Sequence, residues 1–161
     1  VTSLADTRDK SVQMGLAKNK CFGFFSHYLL NGLSFLTDKI KIPIKLTTKM
    51  WAMANNKEFV KELKKDKVGS GSWVYLKFFR TLFEANPNVE PEKFKSCPLL
   101  FLQPEKDFII PWAMSKPFYE KLSCKKEVIF LENCGHIPME KPGIDQMRDG
   151  AFKFLKDLES I

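Results

Sequence analysis

The sequence predicts a fold of the α/β class, in which a helical region precedes a region of alternating strands and helices. Residues 98–102 and 127–131 are short apolar runs of the kind that forms parallel strands buried on both faces. A helix-like segment follows each run, and the order strand, helix, strand, helix is typical of a parallel sheet with helices on its faces. Residues 10–88 carry Phe, Leu, Met and Trp among lysines and predict helices throughout.

The two helices of the second region differ in how clearly the sequence marks them. Pro111 and Pro117 lie near the start of a predicted helix that runs to Leu122, since proline is tolerated in a first turn. The last helix, over residues 144–159, has apolar residues at three- and four-residue steps, which predict a stripe that faces the core. The stripe comprises Ile144, Met147, Ala151, Phe154, Leu155 and Leu158.

Four helical segments are predicted in the first region, over residues 14–36 (long or broken), 44–54, 57–67 and 73–84. Phe59, Val60 and Leu63 share one face of the third segment, and lysines cover the rest. Residues 69–72 (GSGS) predict a flexible break, with Ser72 as N-cap of the helix that follows.

The chain is basic, with a formal net charge of +7 and a pI of about 9.2. Much of the excess is lysine in residues 39–67, a run that usually forms a solvated helix face. A basic chain attracts polyanions, but no nucleic-acid-binding motif accompanies this charge, so we expect no nucleic-acid partner. We find no secretory signal, and residues 21–36 are interrupted by polar residues and shorter than the roughly 20 needed to cross a bilayer.

Four cysteines, Cys21, Cys97, Cys124 and Cys134, are spaced for neither a zinc site nor a small disulfide scaffold. Cys97 and Cys134 flank the predicted strands and are expected to be small buried hydrophobic residues. This usage favours a reducing, cytoplasmic setting. No metal or cofactor is expected.

Two polar residues follow the predicted strands at corresponding places. Asp107 comes shortly after the first strand and His136 shortly after the second, where loops of parallel sheets gather functional groups. An aspartate facing a histidine fixes the imidazole tautomer and stabilises the imidazolium during proton transfer. Gly135 would let the backbone turn tightly before His136. On spacing alone, both residues could equally be ordinary loop residues, and His27 fits a packed core histidine.

The stretches CPLLFLQPEKDFIIPWAMSKPFYEKL and EVIFLENCGHIPMEKPG, followed by an amphipathic helix, resemble the C-terminal end of the α/β-hydrolase superfamily. They are most similar to the monoglyceride-lipase and lysophospholipase-like branch, which has a helical cap. The resemblance implies that Asp107 is the acid of a catalytic triad and that His136 is its base. It also implies a strand and turn over residues 1–9, an all-helical cap or lid over 10–88, and the C-terminal part of the hydrolase core over 89–161.

The chain departs from that family in having no G-x-S-x-G nucleophile elbow. Ser34 lies in a G-x-S-x-L sequence within a helix-like run, and Ser70 and Ser72 lie in the GSGS segment, so none fits the nucleophile. The resemblance implies that a missing N-terminal half carries both the nucleophile and the oxyanion-donating loops. That nucleophile is serine in the esterases and aspartate in dehalogenases and epoxide hydrolases of this fold. We expect the chain alone to be inactive as an esterase.

The expected substrate is a small apolar ester or a monoacyl lipid. An aromatic cluster in the cap would line an acyl pocket or pack the cap core, or else touch a membrane peripherally. It comprises Phe22, Phe24, Phe25, Tyr28, Leu29 and Leu30. The alternative function is a non-catalytic, truncated hydrolase that acts as a binding or assembly module, with self-association through an exposed sheet edge.

Overall fold

The computed structural model describes residues 4–17 and 34–159, and it shows a mixed α/β protein. The described residues divide into two compact units. The C-terminal unit comprises residues 4–5, 52–56 and 88–159, and the N-terminal unit comprises residues 6–17, 34–51 and 57–87.

The C-terminal unit is built on two strands that pair in parallel. Strand β3 (Leu99–Pro104) lies beside β4 (Lys126–Leu131), and the register runs from Leu99 opposite Lys126 to Pro104 opposite Leu131. Helix α6 (Trp112–Lys121) connects them, and α7 (Gly143–Glu159) follows β4. A 3-10 turn at Pro91–Lys93 precedes β3. The predicted strand–helix–strand–helix order and the parallel pairing are therefore observed.

The core of this unit lies between the strands and α7. Buried side chains of Leu100, Leu102, Leu131 and Cys134 form its centre, and Ile129, Met147, Ala151 and Phe154 pack against it. These side chains include half of the predicted α7 stripe. Leu155 is an exception, because it is 58% exposed and faces away from the core.

Three details of this unit correct the sequence-based expectations. Pro117 lies in the middle of α6 and not in its first turn. Pro111 lies at the start of this helix, as its N-cap. Strand β4 is not buried on both faces, since Phe130 is 45% exposed. Cys97 is exposed rather than buried, whereas Cys134 is fully buried as expected.

The side chain of Lys126, the first residue of β4, contacts the C-terminal end of helix α6. The ammonium group of Lys126 donates to the backbone oxygens of Tyr119 (2.6 Å), Glu120 (2.9 Å) and Leu122 (2.7 Å). It also lies 4.9 Å from the centre of the Tyr119 ring. The last carbonyls of a helix lack intrahelical partners and carry partial negative charge, so this cation caps the helix.

The N-terminal unit combines short helices with a small antiparallel sheet. Its helices are α1 (Lys10–Leu16), α2 (Ser34–Thr37), α3 (Ile44–Thr47), α4 (Lys57–Lys65) and α5 (Leu76–Glu84). Strand β1 (Lys41–Pro43) pairs with β2 (Trp73–Tyr75), with Lys41 opposite Tyr75 and Pro43 opposite Trp73. A 3-10 turn spans Met50–Ala52, and its last residue already belongs to the C-terminal unit.

The local sequence explains where two of these helices begin and end. Asp9 is the N-cap of α1, where its carboxylate accepts from the Ser11 backbone at 2.7 Å. Hydrogen bonds from the Ser11 side chain and backbone lower the pKa of Asp9. Helix α4 carries Glu58 in its first turn and Lys64 and Lys65 in its last, as the helix dipole favours.

The all-helical expectation for residues 10–88 is wrong, because residues 73–75 form a strand where a helix was expected. Helix α5 therefore starts at Leu76, and Ser72 does not cap it; the Ser72 hydroxyl donates to the Val68 carbonyl instead. The GSGS segment is a hydrogen-bonded turn with Ser70 buried, not a flexible break. The predicted 44–54 helix is also divided, into α3 and the 3-10 turn. The predicted 57–67 helix is confirmed as α4.

Several expectations fall on residues 1–3 and 18–33, outside the described part. They include residues 1–3 of the expected opening strand, His27, Cys21 and the aromatic cluster from Phe22 to Leu30. Residues 4–6 form no strand, and residues 7–8 form a turn. Within residues 4–17 and 34–159, no helix is both long and apolar enough to cross a membrane.

Candidate active site

The parallel register brings two loops to the same end of the sheet. Pro104 and Leu131 are the last paired residues of β3 and β4, so the loops that follow start at one level. Loop 105–111 carries Asp107, and loop 132–142 carries His136. The sheet geometry therefore places both predicted residues at the carboxyl edge.

Hydrogen bonds continue across these loops beyond the last strand pair. The Glu105 backbone donates to the Leu131 carbonyl (3.0 Å), and the Lys106 backbone donates to the Cys134 carbonyl (2.9 Å). Two side-chain bonds meet at Asn133: its backbone donates to the Glu105 carboxylate at 3.0 Å, and its side-chain oxygen accepts from Lys106 Nζ at 2.6 Å. Asn133 has a φ of 61°, a left-handed conformation that asparagine adopts more readily than most residues. The loops are thus fixed relative to one another.

Asp107 and His136 form a hydrogen-bonded pair in this frame. Asp107 Oδ2 lies 2.9 Å from His136 Nδ1. The Asp107 side chain is fully buried, whereas the His136 side chain keeps 24% of its surface exposed. A buried carboxylate is screened little by water, so its interaction with the imidazole is stronger than that of a surface pair.

The surroundings of Asp107 determine which nitrogen of His136 carries the proton. Asp107 Oδ1 accepts from the backbone N–H groups of Ile109 and Ile110, each at 2.9 Å. Both bonds favour the ionised carboxylate, which can only accept hydrogen bonds. Nδ1 of His136 must therefore donate to Oδ2, and neutral His136 has its lone pair on Nε2. In the described residues no hydrogen bond occupies Nε2, and this atom is suited to take up a proton.

A segment far away in the sequence supports the His136 loop. The Ile137 backbone donates to the Met53 carbonyl (2.8 Å), and the Asn55 side chain donates to the Asn133 carbonyl (2.8 Å). Residues 52–56 belong to the same unit as the loop. The sequence does not reveal this support, because nothing in the local pattern of residues 52–56 distinguishes them from a helix.

Gly135 is needed for a different reason from the expected one. Its φ is not positive, so the backbone makes no turn that requires glycine. A Cβ atom at Gly135 would instead lie 2.9 Å from the backbone nitrogen of Asn55 and 3.1 Å from the Cα atom of Ala54. The absent side chain lets segment 52–56 approach the residue before His136.

The serines considered as nucleophiles are all in the N-terminal unit. The Ser70 hydroxyl donates to the Leu63 carbonyl, and Ser72 to the Val68 carbonyl, so both serve the turn in which they lie. Ser34 is the first residue of α2. In the described residues, no cluster of His, Cys, Asp and Glu side chains is arranged to hold a metal ion.

The chain was also compared with known proteins. No protein-family model matches it, and a search of curated proteins finds no match.

Proposed function

We propose that this chain is the C-terminal portion of an α/β-hydrolase of the esterase or lipase type, and that it supplies the acid and base of the catalytic triad. The observation that carries the proposal is the hydrogen bond of 2.9 Å between buried Asp107 and His136, at the carboxyl edge of a parallel strand pair. The nucleophile is not among the residues of this chain. Asp107 orients the ring, and His136 transfers protons.

Each residue has a defined part in the proposed reaction. Nε2 of His136 accepts the proton of an attacking serine hydroxyl, while Asp107 stabilises the resulting imidazolium. The imidazolium then gives that proton to the alkoxide of the leaving alcohol, and an acyl-enzyme remains. In the second half, Nε2 takes a proton from water, whose oxygen attacks the acyl carbon, and returns it to the serine as the acid leaves.

The direct test uses the product of the whole gene, assayed with p-nitrophenyl esters. We expect it to contain a G-x-S-x-G elbow and to hydrolyse the ester. Asp107→Asn or His136→Gln should lower kcat by about 10²–10⁴-fold, because proton transfer and tautomer control are lost. Asp149→Asn is the control, since Asp149 is exposed and pairs only with Arg148 in the described residues. Full activity in both dyad variants would overturn the proposal.

The 161-residue chain by itself should not react with a serine-directed phosphonate. Without a positioned nucleophile, the Asp107–His136 pair has nothing to activate. Intact-mass measurement after incubation would reveal the adduct. A stoichiometric adduct on this chain would show that one of its own serines is the nucleophile, contrary to the proposal.

A groove in the N-terminal unit supports an apolar, acyl-bearing substrate class and peripheral contact with lipid. It has a volume of about 1000 Å³, and its lining includes exposed Trp73, Tyr75 and Phe78 together with Lys39 and Lys77. Its one acidic lining residue, Asp38, is bound by Arg80 at 2.6 Å, so the lysines set the local charge. Aromatic rings beside lysines suit the headgroup level of an anionic membrane.

Vesicle sedimentation tests this surface. We expect the chain to bind vesicles of phosphatidylcholine with phosphatidylserine and to bind pure phosphatidylcholine less, since each lysine near the surface contributes about 1 kcal/mol. Replacing both Trp73 and Tyr75 by alanine should abolish binding. Trp51→Ala is the matched control, because Trp51 is 60% exposed but does not line the groove. Equal binding by all three proteins would rule out this surface as the contact.

Exposed apolar residues favour assembly as the second candidate function. Phe152 and Leu155, one turn apart on α7, are 69% and 58% exposed. Such a face suits contact with another protein or a second copy of the chain. If the complete gene product has no nucleophile elbow and no activity, we would adopt this function instead.

A further inference from the structure

One carboxyl group closes the loop that carries His136. Glu140 Oε2 accepts from the backbone N–H of Gly135 at 3.4 Å and from that of Met139 at 3.3 Å. Gly135 immediately precedes His136, and Met139 lies at the other end of the same turn. Both contacts lie at the long end of the hydrogen-bond range, and one carboxyl oxygen makes both of them, so it joins the two ends of the segment.

The backbone of Glu140 anchors this carboxyl group to the rest of the unit. Its carbonyl oxygen accepts from the Ile144 N–H at 2.9 Å and from the Cys134 thiol at 3.3 Å. Cys134 is fully buried and follows β4, while Ile144 lies in the first turn of α7. The backbone of Glu140 is therefore fixed relative to the sheet and to α7. Through its carboxyl group, Glu140 ties the His136 loop to both.

The other carboxyl oxygen of Glu140 is unfavourably placed for stability. Oε1 is buried, and it has no hydrogen-bond partner in the described part of the chain. Burial of a polar atom without a partner costs free energy of folding. A side chain present only to stabilise the fold would be better replaced by one without this oxygen. The arrangement points to a local task for Oε2.

We propose that Glu140 is a positioning residue for His136. By holding the Gly135 and Met139 amides, it fixes the backbone on both sides of the histidine and keeps Nδ1 within 2.9 Å of Asp107 Oδ2. Its effect on catalysis rests on the proposed hydrolase function. Its effect on the histidine does not.

Glu140→Gln tests this role in the ¹⁵N-labelled complete gene product by NMR. A neutral amide oxygen accepts hydrogen bonds more weakly than a carboxylate oxygen. Amide exchange at Gly135 and Met139 should accelerate about tenfold or more. The share of His136 with its proton on Nδ1 should fall, while exchange at Phe101 in β3 stays unchanged.

Glu132→Gln is the matched control. It removes one negative charge from the same loop, but Glu132 is exposed and its carboxylate accepts from the Gln146 side chain at 2.9 Å. We expect wild-type exchange and tautomer in this variant. The proposal is overturned if Glu140→Gln leaves both readouts at their wild-type values, or if exchange rises equally at Phe101, since that would indicate general destabilisation.

Kinetics of the complete gene product separate the two proposals. If that protein is an esterase, Glu140→Gln should lower kcat about tenfold or more with KM unchanged, because only proton transfer is affected. A full kcat would overturn positioning while the hydrolase proposal stands. NMR effects in a protein that hydrolyses no ester would leave positioning intact and refute the hydrolase.

Discussion

At the scale of single residues, the candidate site depends on the exact positions of the Asp107 carboxylate and the His136 imidazole. Among the described residues, Asp107 Oδ1 accepts from two backbone amides that follow it in the chain, and Oδ2 faces His136 Nδ1. An aspartate at this point is therefore both a turn residue and the partner of His136. Their positions after two strands made Asp107 and His136 candidates, and the resemblance to α/β-hydrolases implied that they form a pair. The structure places Asp107 Oδ2 2.9 Å from His136 Nδ1.

Gly135→Ala should destabilise the C-terminal unit by about 1–3 kcal/mol. The new Cβ would lie 2.9 Å from the backbone nitrogen of Asn55, and backbone cannot move aside as a side-chain tip can. The urea midpoint of unfolding measures the loss. Gly150→Ala is the control: its Cβ meets only the flexible tip of Ile129, and alanine favours a helix by about 1 kcal/mol over glycine. Equal midpoints for the two variants would contradict this account.

At the scale of elements, the sequence predicted the helices and strands whose apolar pattern lies within the element itself. It did not predict those that form only through pairing with a distant segment. Continuous apolar runs identified β3 and β4, and three- and four-residue steps identified α7 and α4. β1 and β2 could not be predicted in this way, since each has three residues and exists through pairing with a partner about thirty positions away. The support of the His136 loop by residues 52–56 could not be predicted either, because it also joins segments that are distant in the sequence.

Lys126→Met should shorten or loosen the C-terminal turn of α6 and destabilise the chain by about 1–2 kcal/mol. Three helix carbonyls lose a charged donor, although water replaces part of the interaction. Chemical denaturation and amide exchange at Leu122 would detect this change. Lys125→Met removes a neighbouring exposed lysine and should leave both measurements near wild type. A loss of the same size in Lys125→Met would argue against capping.

At the scale of the whole molecule, the division into two units predicts that a change of charge in one unit alters the stability of that unit and not of the other. In the N-terminal unit, a side-chain hydrogen bond from Arg80 lowers the pKa of Asp38 below its ordinary value of 3.8. A group whose pKa is lower in the folded state stabilises that state above the ordinary pKa. This stabilisation is lost as the pH falls through the lowered value.

Asp38→Asn should therefore be less stable than wild type at pH 6, and the difference should shrink as the pH falls from about 4 toward 2. Thermal unfolding at a series of pH values gives the comparison. Asp149→Asn is a control of the same chemistry in the C-terminal unit, where Arg148 lowers the pKa of Asp149. Amide exchange in α5 should respond to Asp38→Asn and not to Asp149→Asn. A difference that stays constant with pH would exclude the Arg80 pair as its cause.

The six-residue register of β3 and β4 also limits which insertions and deletions the chain can accept. One residue added or lost within Leu99–Pro104, or within Lys126–Leu131, would displace one member of the pair by about 3.3 Å along its strand. The same change would turn the following side chain to the opposite face. Length variants among related genes should therefore fall between Asp107 and Lys126, where α6 and its flanking loops can absorb them without separating the acid from the base.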